Sequence, residues 1–124
     1  MRTGSCLCGA VAFHFDADAP APSVCHCGQC RRQSGHVWAS TFIAETALVF
    51  DRDDSLRWFR SSDAARRGFC STCGSFLFWK HDAEDTISIA MGALDAPTGL
   101  TLGRHIFVAD KGDYYTITDD LPQT

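Results

Sequence analysis

Ser5-Cys6-Leu7-Cys8-Gly9-Ala10-Val11-Ala12-Phe13-His14-Phe15 joins a tight pair of cysteines to a run of period two. Val11, Phe13 and Phe15 fall on one side of that run and Ala12, His14 and Asp16 on the other, the pattern of a half-buried strand. Similar runs, rich in aromatic and β-branched residues, recur at 37–43, 48–50, 56–60, 76–80, 86–91, 106–109 and 114–117. Turn-forming residues separate them at 18–22, 51–54, 82–85, 96–99 and 111–113. The pattern predicts a mostly β fold of antiparallel sheets. One short helical turn is expected, over Gly28-Gln29-Cys30-Arg31-Arg32-Gln33-Ser34, with Gly35 as its stop.

The 124 residues, 45% hydrophobic and 21% charged, have the balance of one globular domain spanning 1–124. Nine Phe, three Trp and two Tyr can fill its core. No run approaches the ~18 apolar residues of a membrane helix, and the first residues have no apolar core like a signal peptide's, so a cytoplasmic address is expected and a membrane partner is not. Eleven basic against fifteen acidic residues give a net charge of -4, the wrong sign for neutralising phosphates, so no nucleic-acid partner is expected either.

Seven cysteines are an odd number, which forbids a fully paired disulfide framework. They fall as Cys6-x-Cys8, Cys25-x-Cys27-x-x-Cys30 and Cys70-x-x-Cys73, tight knuckles of the kind that aim thiolates at one metal ion, most commonly zinc. A structural zinc takes four protein ligands, whereas a catalytic one takes three and keeps a position open. The seven divide naturally into Cys6, Cys8, Cys70 and Cys73, and Cys25, Cys27 and Cys30. Spacing alone also permits Cys25 and Cys27 with Cys70 and Cys73, or one metal with spare thiols. Three thiolates on zinc(II) carry a formal charge of -1, a weak Lewis acid toward water and better suited to holding a fourth, exogenous thiolate. That points toward thiol chemistry rather than hydrolysis. If 28–34 is helical, its N-terminus adds partial positive charge beside Cys27 and Cys30 and lowers their pKa values.

Three stretches carry a resemblance: Ser5-Cys6-Leu7-Cys8-Gly9-Ala10-Val11, then Cys25-His26-Cys27-Gly28-Gln29-Cys30-Arg31-Arg32-Gln33-Ser34-Gly35, then Arg67-Gly68-Phe69-Cys70-Ser71-Thr72-Cys73-Gly74-Ser75. In order and spacing they resemble the glutathione-dependent formaldehyde-activating family, to which centromere protein V also belongs. His105-Ile106-Phe107-Val108 and Leu121-Pro122 resemble the family's closing segments. The resemblance implies a zinc-stabilised β-tent fold, with Cys6, Cys8, Cys70 and Cys73 as its structural site. It also implies that Cys25, Cys27 and Cys30 hold a second, labile, catalytic zinc. The implied activity is that of a carbon-sulfur lyase or synthase acting on adducts of glutathione, or a similar thiol, with formaldehyde or another small aldehyde.

Glutathione carries two carboxylates, for which Arg31, Arg32, Arg66 or Arg67 can offer charge-assisted contacts, and Arg32 is taken as the cofactor-binding candidate. His26 lies between two cysteines, and in an extended segment its side chain would point away from theirs. His36 and Trp38 are expected as packing or pocket rim, and His14, His81 and His105 as ordinary strand or turn residues. Tyr114, Tyr115 and exposed strand edges could support a homodimer. Two other function classes fit the cysteines: a non-catalytic zinc module that binds a protein, and a thiol redox enzyme of the methionine sulfoxide reductase type, which the Cys-x-Cys first knuckle disfavours.

Overall fold

The computed structural model describes all 124 residues. Its strands are β1 (Arg2–Ser5), β2 (Ala12–Phe15), β3 (Ser23–Cys25), β4 (Trp38–Ala44), β5 (Val49–Arg52), β6 (Leu56–Arg60), β7 (Ala65–Cys70), β8 (Phe76–His81), β9 (Thr86–Ala90) and β10 (Arg104–Ile106). The single α-helix, α1 (Gly28–Ser34), follows β3, and three short 3-10 turns complete the regular structure. A three-stranded sheet has the order β1-β2-β5, and a seven-stranded one the order β10-β3-β4-β9-β8-β7-β6. The fold is mostly β, as the alternation predicts. Every strand pairing is antiparallel except β10 on β3, which is parallel. Parallel neighbours need a long crossover, and here residues 26–103 lie between the two strands.

The core forms where the small sheet covers one face of the large one. Val11, Phe13 and Phe15 from the β2 segment pack with Ile43, Leu77, Phe78, Ile87 and Ile89, all essentially without solvent exposure. Phe13 and Phe78 meet edge to face with centroids 5.2 Å apart, a favoured aromatic geometry. Truncating either ring to Ala would cost about 3–5 kcal/mol by the usual cavity rule. At the β1 crossing a Cβ on Gly4 would stand 2.5 Å from Phe13 Cζ and 2.7 Å from the Ala93 carbonyl, so only glycine fits there.

Alternation along the large sheet sends the other side chains to its opposite face. On β4, Thr41 and Ile43 point into the core while Trp38, Ser40 and Phe42 face the far side, where a cleft opens. Five segments depart from the sequence expectation. Arg2–Ser5 and Ser23–Cys25 form β1 and β3, where no alternation marks a strand. Residues 65–70 form β7 although Arg66 and Arg67 interrupt any apolar pattern there. Residues 114–117 are not a strand: the Tyr114 and Tyr115 hydroxyls reach His36 and His26 instead, and side-chain bonds fix the segment. Of 106–109 only Ile106 is in a strand, because Phe107 turns into the left-handed region at φ 55° and ends the extended run. The chain's last residues run back along β10, with His105 N–H donating to the Pro122 carbonyl at 2.9 Å and Thr124 N–H to the His105 carbonyl at 3.1 Å.

Candidate metal centres and the adjoining cleft

The fold gathers the cysteines into two groups, Cys6 with Cys8, Cys70 and Cys73, and Cys25 with Cys27 and Cys30; within each, all Sγ atoms lie within 4.8 Å of one another. The alternative grouping allowed by spacing does not form. In the first group Cys6 Sγ is 3.6 Å from Cys8 Sγ, and Cys8 Sγ is 3.8 Å from Cys70 Sγ. Tetrahedral ligation with zinc–sulfur bonds of about 2.3 Å places sulfurs roughly 3.8 Å apart, so the donors fit a zinc ion in type and spacing. The pieces around them hold that arrangement. Val11 N–H donates to Cys6 Sγ at 3.3 Å, and Ser75 Oγ receives the Leu7 N–H at 3.1 Å, tying the first knuckle to the last. The Ser75 hydroxyl, 3.2 Å from Cys73 Sγ, and its backbone amide push that thiol down to about 5, toward the ligating thiolate.

The second group sits where β3 meets α1. Cys25 ends β3, Cys27 caps α1 with its Sγ accepting the Cys30 N–H at 3.3 Å, and Cys30 lies in the first turn, buried. Gly35 closes the helix at φ 87°, a left-handed stop, which confirms the helix expected over 28–34. Arg67 enters from β7: its two terminal nitrogens stand 3.6 and 3.7 Å from Cys30 Sγ, and it also donates to Gln33 Oε1 at 3.4 Å. A hydrogen bond from Cys25 and then this guanidinium lower the Cys30 thiol to about 6, while Cys25 is pushed far up by that shared bond and by burial. The charge at Cys30 is thus balanced by one buried cation, and the three sulfurs together are a donor set suited to a soft metal.

Behind the cysteines runs a chain of four side chains. Tyr115 Oη is 2.5 Å from His26 Nδ1, His26 Nε2 is 2.8 Å from His105 Nδ1, and His105 Nε2 is 3.0 Å from the Asp119 carboxylate. With Asp119 ionised, His105 Nε2–H donates to its carboxylate, and the two remaining contacts link His105 to His26 and His26 to Tyr115. The pKa directions agree. Burial lowers His26 and raises Tyr115, and the bond from His105 lowers Asp119. His26 thus points away from the cysteines, as an extended segment requires, and is buried. His105 is a central link rather than an ordinary strand residue.

Cys25, Cys27 and Cys30 open onto a cleft of about 1060 Å³ across the exposed face of the seven-stranded sheet. That is the upper end of the range for small-molecule sites. Trp38, Trp79, Ile106, Arg67 and Arg104 share its lining. Trp38 stacks on Phe76 at 4.2 Å, and Arg67 lies 5.2 Å above the same ring. Two buried donors on this lining, Trp38 Nε1 and Arg67 Nε, have no protein partner, and such atoms commonly mark where a polar ligand binds. Arg32 stands exposed on α1 and is not among the lining residues. Of the four arginines considered for glutathione's carboxylates, Arg67 is the one that lines the cleft. Trp79 and Phe107 lie in strand-like runs of the sequence, whereas Arg104 falls in none of them and carried no signal.

A mostly β chain with two clusters of free thiols that could hold metal ions, one of them beside a ligand-sized cleft, defines a thiol-rich protein. The profile of the glutathione-dependent formaldehyde-activating enzyme family matches residues 1–110, and the chain belongs to that family. It is 26% identical over 117 residues to an uncharacterized lyase of Schizosaccharomyces pombe, covering 90% of this chain and 82% of the relative. It is 27% identical over 128 residues to a Halomonas elongata protein named as a candidate glutathione-dependent formaldehyde-activating enzyme, covering 94% of this chain and 81% of that one. Among solved structures, a crystal structure of a Rhodobacter sphaeroides protein superposes with a TM-score of 0.58 at 25% identity, covering 76% of this chain and 88% of that chain. No helix is long and apolar enough to cross a membrane.

Proposed function

We propose that the protein is a zinc-dependent carbon-sulfur lyase or synthase that joins glutathione, or a similar thiol, to a small aldehyde and cleaves the same adduct. The observation that carries this reading is the convergence of Cys25, Cys27, Cys30 and Arg67 at one cleft in a member of this family. A zinc ion held by the three cysteines would supply a coordination position suited to an exogenous thiolate. Cys6, Cys8, Cys70 and Cys73 would hold a second zinc with no open position, and its work is to join the first knuckle to the end of β7.

The chain's own residues do the rest. Arg67 keeps Cys30 ionised and presents its free Nε–H, with Trp38 Nε1–H, to the ligand's carboxylate or amide oxygens. Trp38 and Trp79 exclude water from one side of the reacting sulfur. In the forward step the thiol sulfur bonds to the aldehyde carbon, the carbonyl π pair moves to oxygen, and the proton lost by the thiol ends on that oxygen. The cytoplasm, which keeps such thiols reduced, is the setting we assign.

Native mass spectrometry of protein purified without oxidation tests this. Two zinc ions are expected, one removed by a mild chelator, with a glutathione adduct that disappears alongside it. A single tight zinc, free middle thiols and no adduct would overturn the reading.

A further inference from the structure

The formaldehyde adduct adds only one carbon and one oxygen to glutathione's sulfur, a small addition in a cleft of about 1060 Å³. In the strand register Phe42 pairs with Ser88, Ser88 with Trp79, and Trp79 with Arg67, so these four stand in one row across the cleft floor. The row runs from the guanidinium beside Cys30 outward to an aromatic end. Phe42 is 47% exposed and Phe107 58% exposed, and both line the cleft. Two large rings left in water at one cavity are apolar area that an apolar ligand would cover. Phe107 is also the only non-glycine residue with positive φ, at 55°, a conformation that bulky aromatics rarely adopt. Backbone held in such a region beside a cleft is characteristic of ligand-contacting positions.

We infer that the cleft selects glutathione adducts of aldehydes bearing an apolar ring, with the ring seated against Phe42 and Trp79 at the outer end of the row, while Phe107 borders the cleft on the β10 side. This rests on the reading of the cleft as a glutathione site. The chemistry is the same addition: the sulfur–carbon bond forms, the carbonyl π pair goes to oxygen, and the thiol proton follows it. The ring adds buried area on the adduct's carbon side, far from the carboxylates.

Stable thioethers test the pocket without turnover. The zinc-loaded protein is titrated with S-methylglutathione and S-benzylglutathione, binding being read from the fluorescence of Trp38 and Trp79. S-benzylglutathione is expected to bind about ten-fold more tightly, the scale set by burying one ring. The Phe42→Ser/Phe107→Ser double variant, altered only at half-exposed positions, is expected to lose most of that preference. Equal affinities in the parent protein, or a preference that survives in the double variant, would overturn the inference while leaving the glutathione site standing. Binding of neither conjugate would overturn the glutathione site itself, and the inference with it.

Discussion

His26 Nε2 and His105 Nδ1 stand 2.8 Å apart, both rings buried, so a side-chain hydrogen bond adds to the backbone pairing that joins the knuckle of Cys25 and Cys27 to β10. The same chain of contacts continues to Tyr115 on one side and Asp119 on the other. It makes the geometry of the middle cysteines depend on a part of the chain some eighty residues away.

Replacing His105 with Phe keeps a flat ring, somewhat larger, and removes both polar atoms. His26 Nε2 is then buried without its partner, at a cost of about 1–3 kcal/mol. A lower urea midpoint with an unchanged slope is expected, together with faster amide exchange over 122–124. Asp119→Asn should cost less, because the amide oxygen still accepts from His105. Equal midpoints for His105→Phe and the parent would refute the arrangement.

The two cysteine groups should differ in what their loss does. Cys70 is fully buried at the end of β7, and a complete structural zinc is worth on the order of 10 kcal/mol, comparable with a small domain's whole stability. Cys70→Ser should therefore unfold the chain, and Cys27→Ser should keep the fold and lose one zinc. Circular dichroism paired with metal counting distinguishes them. A native-like spectrum for Cys70→Ser would refute the structural assignment.

Cys30 should betray its neighbours in a pH profile. With the middle metal stripped by a mild chelator, a thiol lowered to about 6 stays largely thiolate at pH 7 and alkylates there, whereas an ordinary thiol near 8.5 reacts slowly. Arg67→Met should move the profile upward but not to the ordinary value, because the bond from Cys25 remains the larger influence. Mapping the label by mass spectrometry checks both statements. A profile unmoved by Arg67→Met would remove the guanidinium from the account.

Where a feature is local, the sequence already shows it. Residues 28–34 read as a helix because Gly35 stops them and no β-branched residue opposes it, and the run at 11–15 buries Val11, Phe13 and Phe15 as its alternation demands. β7 was hidden because Arg67 faces inward on it. A buried arginine makes sense only beside Cys30, a partner 37 positions away that no local pattern reveals. Tyr114 and Tyr115 misled in the opposite sense: aromatic residues favour strands, yet here their hydroxyls are bound to histidines and override that preference. Arg32 adjoins the cysteines in sequence, whereas Arg67 reaches the cleft through strand pairing, and only the fold separates the two.

The return of Pro122–Thr124 along β10 has a further consequence for how copies of the molecule meet. An uncovered outer strand offers free amides and carbonyls to any other extended chain, which is how sheets grow into aggregates. The terminal residues occupy that border of the large sheet, leaving β6 as its unshielded margin, which carries the exposed charge of Arg57. Clipping the last three residues would remove the guard from the other margin, and the molecule would become adhesive there.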